Sequence, residues 1–586
     1  MDLWCFLIVY LTVLSQTDGI PLSNEGISHI NKTFACQTLN KNKKCHFDDT
    51  TYKYPACDNS IINIAKTLRE MTRNRCDIAD PCRRAGVNNV NYDEKLADRE
   101  PWWKILLIEA GPEEPTMTTF PRFAFSAINS SLDWKIKTEP TKPIPTACLE
   151  TNGICNWPRG KMVSGTGGMY GMMYVRGHPE IYNRWARAGN PGWSYNEIEH
   201  YFERAENPAV PGMTSGQILR RTEFGGPVNI DYFPHKPPFV DDLLSAADEL
   251  GYKTSNLYGT NQTGFMVAPM MIDNGQRGTT SKYYLRPIAH RSNLKVLINA
   301  RVTKLFSRKW DKKMQGIELI NKFGKKKRIK ADKEIILTAG AIGSPQILLA
   351  SGIGPESDLK RLGIPLHHAL PVGRNLHNHV SIGIKMSINN AKYEDINIQA
   401  INEYLKNQSG PLSSTGLTQV TAFLESSRAI RGIPDIQVFF DGFTSNCAEL
   451  IDNNKCLKNK FSSTCSLRRE IVARPTTVIV KTRGYLTLRS NNPLDPPLIY
   501  PNYFTHSDDM KILVDGIKKI IQLTKTRAMK KWDLKLNETP IPACSSNVRV
   551  ADASIFPDVP NSNPCAAIIM VAEKVSDHII NTWRGL

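Results

Sequence analysis

The stretch KILLIEAG, Lys104–Gly111, runs strand-forming apolar residues into an acid followed by two small residues. A buried parallel strand reads as an unbroken apolar run, and an acid at its C-terminal end is where a dinucleotide-binding unit places the carboxylate that accepts ribose hydroxyls. Glu109 is therefore a candidate ligand-binding carboxylate. Such a unit needs a first strand, a glycine loop and a helix upstream. The residues there, RCDIADPCRR, carry one Pro, two Asp and three Arg, and cannot form a central strand.

Two further glycine-bearing stretches could do chemistry. In WPRGKMVSGTGGMYGMMYVRG, glycines at 160, 165, 167 and 168 let the main chain approach a planar ring system, although one such loop taken alone is an ordinary turn. In KEIILTAGAIGSPQILLASGIGP, Gly340, Gly343, Ser344 and Pro345 stand at a strand-to-helix turn. Helix N-terminal amides there suit a phosphate-bearing ligand, and structural capping explains the same residues equally well.

The elements that must position these groups are those of an α/β chain. With 586 residues, 41% of them hydrophobic, the protein can bury one large core or two. SNLKVLINARVTKLFSRKWDKKMQGIELI predicts successive strands, and Trp185 to Ala205 predicts helix, with NPG as a stop and Ser194 as a cap. IQVFF and TTVIVKTRGYLTLRS predict strands, and SDDMKILVDGIKKIIQLTKT a long amphipathic helix. The net charge of +18 is scattered except in KFGKKKRIKADK, Lys322 to Lys333, between two apolar strands. That setting fits a solvated hairpin tip better than a nucleic-acid patch.

The first 19 residues, with an apolar run too short to span a bilayer, fit a secretory leader. Of 13 cysteines, Cys5 falls in it and twelve remain, an even number suited to disulfides. Sequons at Asn31, Asn129, Asn261, Asn407 and Asn537 add to the expectation of a secreted, disulfide-bonded glycoprotein. Residues 20–95 are expected to hold a Cys-rich extension, with Cys36, Cys45, Cys57, Cys76 and Cys82, and the degenerate start of the dinucleotide-binding unit.

Four blocks, WPRGKMVSGTGGMYGMMYVRG, AGAIGSPQILLASGIGP, PVGRNLHNHV and RVADASIFPDVP followed by AAIIMVAEKVSD, resemble in order and spacing the glucose-methanol-choline (GMC) family of FAD-dependent oxidoreductases. CLETNGICNWPRG adds a likeness to its insect secreted branch, in which glucose dehydrogenases reduce quinones. The resemblance implies an FAD-binding Rossmann-like domain with a mostly parallel sheet, assembled from residues 96–185, 270–375 and 545–586. It also implies an α+β substrate-binding domain with an antiparallel sheet, from residues 186–269 and 376–544. FAD would be held by Glu109, Gly111, Gly160, Gly165, Thr166, Gly167, Tyr170, Gly171, Val302, Asp552 and Asn563, with Asn563 also a catalytic assistant and no metal involved. A small alcohol or sugar would be the substrate and a quinone-type compound the acceptor, with no nucleic acid and no membrane span. Cys148 and Cys155 are expected to be bonded.

The chain departs from this pattern twice. The three glycine positions of the nucleotide loop fall on Arg84, Gly86 and Asn89, so one glycine survives. At the other end, ETPIPACSSNVRVADAS joins directly two blocks that the family separates by a stretch containing His-Pro-x-Gly, whose histidine is the catalytic base; none of the 12 histidines stands in that context. Both breaks are abrupt, as exon loss, alternative splicing or a faulty gene assembly would leave them. They leave open an impaired oxidoreductase or a secreted pseudoenzyme that binds without chemistry.

Overall fold

The computed structural model describes residues 104–141, 147–148, 151–210, 225–254, 262–307, 313–388, 398–442, 469–536 and Met570, together with the backbone of one further strand, Tyr10–Thr12. Tyr10–Thr12 (β1) lies beside the apolar run Ile105–Ile108 (β2), which pairs on its other side, in parallel, with Leu294–Leu297 (β3). The chain continues through Ala300–Ser307 (β4), Met314–Asn321 (β5) and Lys326–Lys330 (β6), a three-stranded antiparallel sheet. It then returns as Glu334–Ile335 (β7) to the far side of β1, so the first sheet has the order β3-β2-β1-β7.

Among the described residues, the place beside β2 is taken by main chain from the segment read as a leader, running antiparallel to both neighbours. This corrects the expectation of a mostly parallel sheet here: among the described residues one pairing of this sheet is parallel and two are not. The physical reason is that the N–H and C=O groups of the largely buried β2 must be paired, whichever segment supplies the partner. Leu106, Ile108, Leu305, Ile317, Leu319 and Ile347 fill the core between the two sheets and the helix Gly340–Ala350.

Asn321 builds the β5–β6 turn. Its Oδ1 accepts from the N–H groups of Phe323 (3.1 Å) and Lys325 (3.0 Å), and Gly324 takes φ +73°. The cationic stretch is a hairpin tip, as its sequence setting implied.

The second unit is a seven-stranded antiparallel sheet drawn from both 186–269 and 376–544, as the resemblance implied. Its strands run in the order Lys535–Leu536, Ile384–Ile388, Arg469–Thr477, Ile436–Asp441, Val420–Leu424 and Gly264–Val267, with Val380–Ser381 also paired to Arg469–Thr477. The helices Phe239–Glu249 and Ser507–Leu523 cover it, burying Phe239, Leu243, Ile512 and Ile520 against Val420, Ala422 and Val438. A Cβ on Gly516 would lie 2.8 Å from Pro475 Cβ, so the long helix sits directly on its strand. His506 caps that helix by accepting the Asp508 N–H at Nδ1 (3.2 Å). The other predicted helix appears as two, Pro179–Arg187 and Tyr195–Ala205, the second opened by Ser194, whose N–H donates to Glu197 Oε2 at 3.0 Å.

Cys148 and Cys155 are bonded, with Cα atoms 5.4 Å apart. Gly153, at φ +84°, closes the loop by donating its N–H to Cys148 O at 2.9 Å. Both cysteines pack into one buried cluster with Trp157 and Leu376. Closing so short a loop restricts the unfolded chain modestly, so replacing both cysteines by serine should cost about 2–3 kcal/mol in denaturant unfolding under oxidising conditions.

Candidate active site

The C-terminal end of β2 is a main-chain crossing. Glu109 N–H donates to Leu297 O (2.9 Å), Ala300 N–H donates to Glu109 O (2.9 Å), and Asn299 N–H donates to Gly111 O (2.9 Å). This ties Glu109 and Gly111 to the start of β4, the strand that carries Val302. A third segment presses in from Lys161: a Cβ on Gly111 would lie 2.1 Å from Lys161 O. One on Gly160 would lie 2.1 Å from Gly165 O. Both glycines are therefore required by the chain's own backbone, before any ligand is considered.

Thr166 Oγ1 accepts the Gly160 N–H at 2.9 Å and Gly167 N–H donates to Ser164 O at 3.0 Å, which folds Gly165–Gly168 into one buried turn. Glu109, Gly111, Gly160, Gly165, Thr166, Gly167 and Val302 are thus joined through a few linked segments. Tyr170 and Gly171 follow directly, both buried. Asp552, Asn563, Arg84, Gly86 and Asn89 lie outside the described residues, as do the early cysteines. At the strand-to-helix turn Ser344 Oγ accepts the Ala339 N–H (2.9 Å), a structural tie, and Gly340 takes φ +80°.

Gly111 N–H donates to Glu109 Oε1 at 2.7 Å, and no side chain among the described residues hydrogen-bonds this carboxylate. Burial pushes the carboxyl up to about 7, against the opposing pull of the Gly111 N–H and of Lys161. Lys161 is itself held below its ordinary value, first by burial and then by Arg301. The two cations flank the Trp134 ring, Lys161 Nζ at 5.0 Å and Arg301 Cζ at 5.2 Å from its centre. A carboxylate held at one oxygen by a backbone amide, at the end of a parallel strand, suits the vicinal hydroxyls of a ribose.

Because the folded value is raised, the folded state binds the Glu109 proton more tightly. Its contribution to stability is complete below about 4.5 and is lost as pH rises through about 7. Denaturant midpoints should therefore fall between pH 4.5 and 8 by the equivalent of up to about 3 kcal/mol, and Glu109→Gln should remove that component of the slope.

Behind the glycine turn lies a residue that sequence reasoning missed. Arg277 is 1% exposed, and its guanidinium donates to four main-chain carbonyls: Thr118 O (2.7 Å), Tyr170 O (2.6 Å), Ala124 O (3.2 Å) and Gly167 O (3.3 Å). Its Cζ stands 5.6 Å from the Tyr170 ring centre. Burial lowers it to about 10. Another buried arginine, Arg176, is held by a carboxylate instead, with Nε donating to Glu206 Oε1 at 2.9 Å. Arg277 is a positioning residue for residues 165–171, fixing which way their carbonyls face. Arg277→Lys keeps the charge but cannot reach four acceptors, and carbonyls left unpaired cost about 1–3 kcal/mol each. The variant should unfold several degrees lower and exchange its amide hydrogens faster at 165–171 than in the distant sheet around Val438.

Comparison with known proteins settles the class. Two family models, both described as GMC oxidoreductase, match residues 107–381 and 480–545. The chain is 37% identical over 519 residues to the glucose dehydrogenase [FAD, quinone] of Drosophila melanogaster, covering 85% of this chain and 81% of that protein. The chain belongs to the GMC oxidoreductase family. The mitochondrial choline dehydrogenase of Homo sapiens is 29% identical over 546 residues, covering 82% of this chain and 86% of the relative. Among solved structures, a variant of Aspergillus oryzae RIB40 formate oxidase has the same fold, with a TM-score of 0.71 at 21% identity over 83% of this chain and 95% of that one. FAD is the cofactor this membership brings, and the Glu109 carboxylate with its strand-end crossing fits the adenosine side of such a group. No helix among the described residues is long and apolar enough to cross a membrane.

Proposed function

We propose that this chain comes from a lineage that oxidises a CH–OH group of a sugar or other small alcohol and hands the electrons to a quinone-type acceptor. We further propose that the chain as it stands turns over poorly. The observation that carries the first part is Glu109, bonded by the Gly111 N–H at the end of a parallel strand, in a chain 37% identical to a glucose dehydrogenase [FAD, quinone]. FAD supplies the acceptor for the hydride that leaves carbon. Glu109 would hold the ribose, and the backbone turn at 165–168, braced by Arg277, would present main chain to the ring system. The hydroxyl proton needs a base, and Asn563 can assist as a hydrogen-bond partner but cannot take it.

The second part rests on the direct join of ETPIPACSSN to VRVADAS, which omits the His-Pro-x-Gly context. His506, the histidine nearest to that join on its N-terminal side, is occupied as a helix cap. The same two breaks favour, as a second reading, a pseudoenzyme that binds a sugar, a steroid or a partner without turnover. We take the chain to be secreted and glycosylated, supported by the leader-like start, the Cys148–Cys155 bond and the exposed positions of Asn129 and Asn407; the Tyr10–Thr12 pairing then belongs to the precursor and is lost when the leader is removed.

Three proteins test this: the chain as given, the chain with a glycine-rich strand and loop inserted before Leu96, and the chain with that insertion plus a His-Pro-x-Gly segment between Pro542 and Arg549. The first should lack visible flavin absorbance after FAD is added and excess removed. The second should be yellow but slow, and the third should reduce a quinone dye with alcohols roughly 10²–10⁴ times faster than the second. Stoichiometric flavin and full turnover in the first would reject the impairment.

A further inference from the structure

The tip of the β5–β6 hairpin has a composition that neither solubility nor the FAD site requires. Phe323 is 74% exposed, more than any other large apolar side chain among the described residues. It stands beside Gly324, where a Cβ would find nothing within 4 Å, so the turn projects into open space. The two Asn321 hydrogen bonds hold the turn in one shape, so little freedom remains to be lost on docking. Around Phe323, residues 322–333 carry seven cations and one acid, Asp332. Lys322 Nζ lies 4.9 Å from the Phe323 ring centre. Lys326, Arg328 and Lys330 are the exposed residues of β6, an edge strand, and Lys325 leads into it from the turn. Glu318 offsets part of this charge through Arg328 (3.3 Å) and Lys304 (3.9 Å), both below the tip.

Lysines on an edge strand guard against strand addition, and that accounts for β6. It does not account for an aromatic ring held furthest out, which is a cost in water unless something apolar meets it. A sulfated polysaccharide would engage the lysines and gain nothing from Phe323. The combination of a projecting ring and surrounding ammonium groups matches the boundary of a bilayer, where the ring enters the acyl edge and the cations meet lipid phosphates and carboxylates.

We propose that this hairpin tip docks the protein on anionic phospholipid surfaces, with Phe323 inserted and Lys322, Lys325 and Lys326 on the headgroups. The docking is peripheral and independent of turnover.

The test is co-sedimentation of the full chain with vesicles of phosphatidylcholine alone or mixed with phosphatidylserine. Binding should require phosphatidylserine and weaken with salt. Phe323→Ser should lower the partition coefficient about tenfold, and Lys325→Glu with Lys326→Glu about thirtyfold or more. Thermal unfolding should be unchanged in both, since these side chains are exposed. Phe323→Trp should show quenching by brominated lipid beyond that of the unaltered chain. Absence of phosphatidylserine-dependent binding, or full binding by Phe323→Ser, would overturn the proposal. So would retention on heparin that ignores Phe323→Ser while vesicles capture nothing, which would assign the tip to a sulfated polysaccharide.

Discussion

Three stretches of backbone meet at the end of β2 closer than side chains allow. Gly111 faces Lys161 O across a gap that a single methyl would close, and Gly160 does the same against Gly165 O. From this crossing follow the position of Glu109, the start of β4 and the placement of the turn at 165–168. A carboxylate on a loop would be aimed only loosely. Here it is fixed by a strand on one side and by main-chain bonds to Leu297, Asn299 and Ala300 on the other. Packing of this kind is unforgiving, because an added methyl must displace backbone rather than a flexible side chain.

The electrostatics of the site follow from the same close fit. Burial penalises the ionised form of Glu109 and the charged forms of Lys161 and Arg277 alike. Each is offset differently: Glu109 by a backbone amide, Lys161 by the Trp134 ring, and Arg277 by carbonyls and the Tyr170 ring. A site made of partly compensated charges is set up to gain from a ligand that supplies the remaining partners.

Much of this was legible in the residues. The ILLI run ending in Glu109 could be read because a buried parallel strand has a one-dimensional signature. The helix after Ser194 and the cationic hairpin could be read because caps and turn residues act locally. The Cys148–Cys155 pairing could be read because a short loop containing Gly153 can close on itself in an oxidising compartment. What could not be read depends on partners distant in the chain. Nothing in the pattern around Tyr10–Thr12 announces antiparallel pairing with residues near 106 and 335, because that pairing fills hydrogen-bonding edges elsewhere in the chain. Nor could the internal demand on the glycines of 160–168 be read: a Cβ on Gly160 would meet the carbonyl of Gly165 and one on Gly168 would meet Met162 Sδ, whatever ligand the turn faces. Arg277 escaped notice because it sits among small polar residues and its acceptors are main-chain atoms, which have no residue type.

That last feature bears on how the protein can change over generations. An arginine that bonds only to carbonyls makes no demand on the identity of Thr118, Ala124, Gly167 or Tyr170 through those bonds. Residues at 118 and 124 can drift while the brace stays whole, so long as the main chain keeps its path. No compensating exchange at those positions can rescue a lost arginine. Correlated substitution, the usual trace of contact between residues in diverging chains, should therefore be weak around the residue that braces the turn.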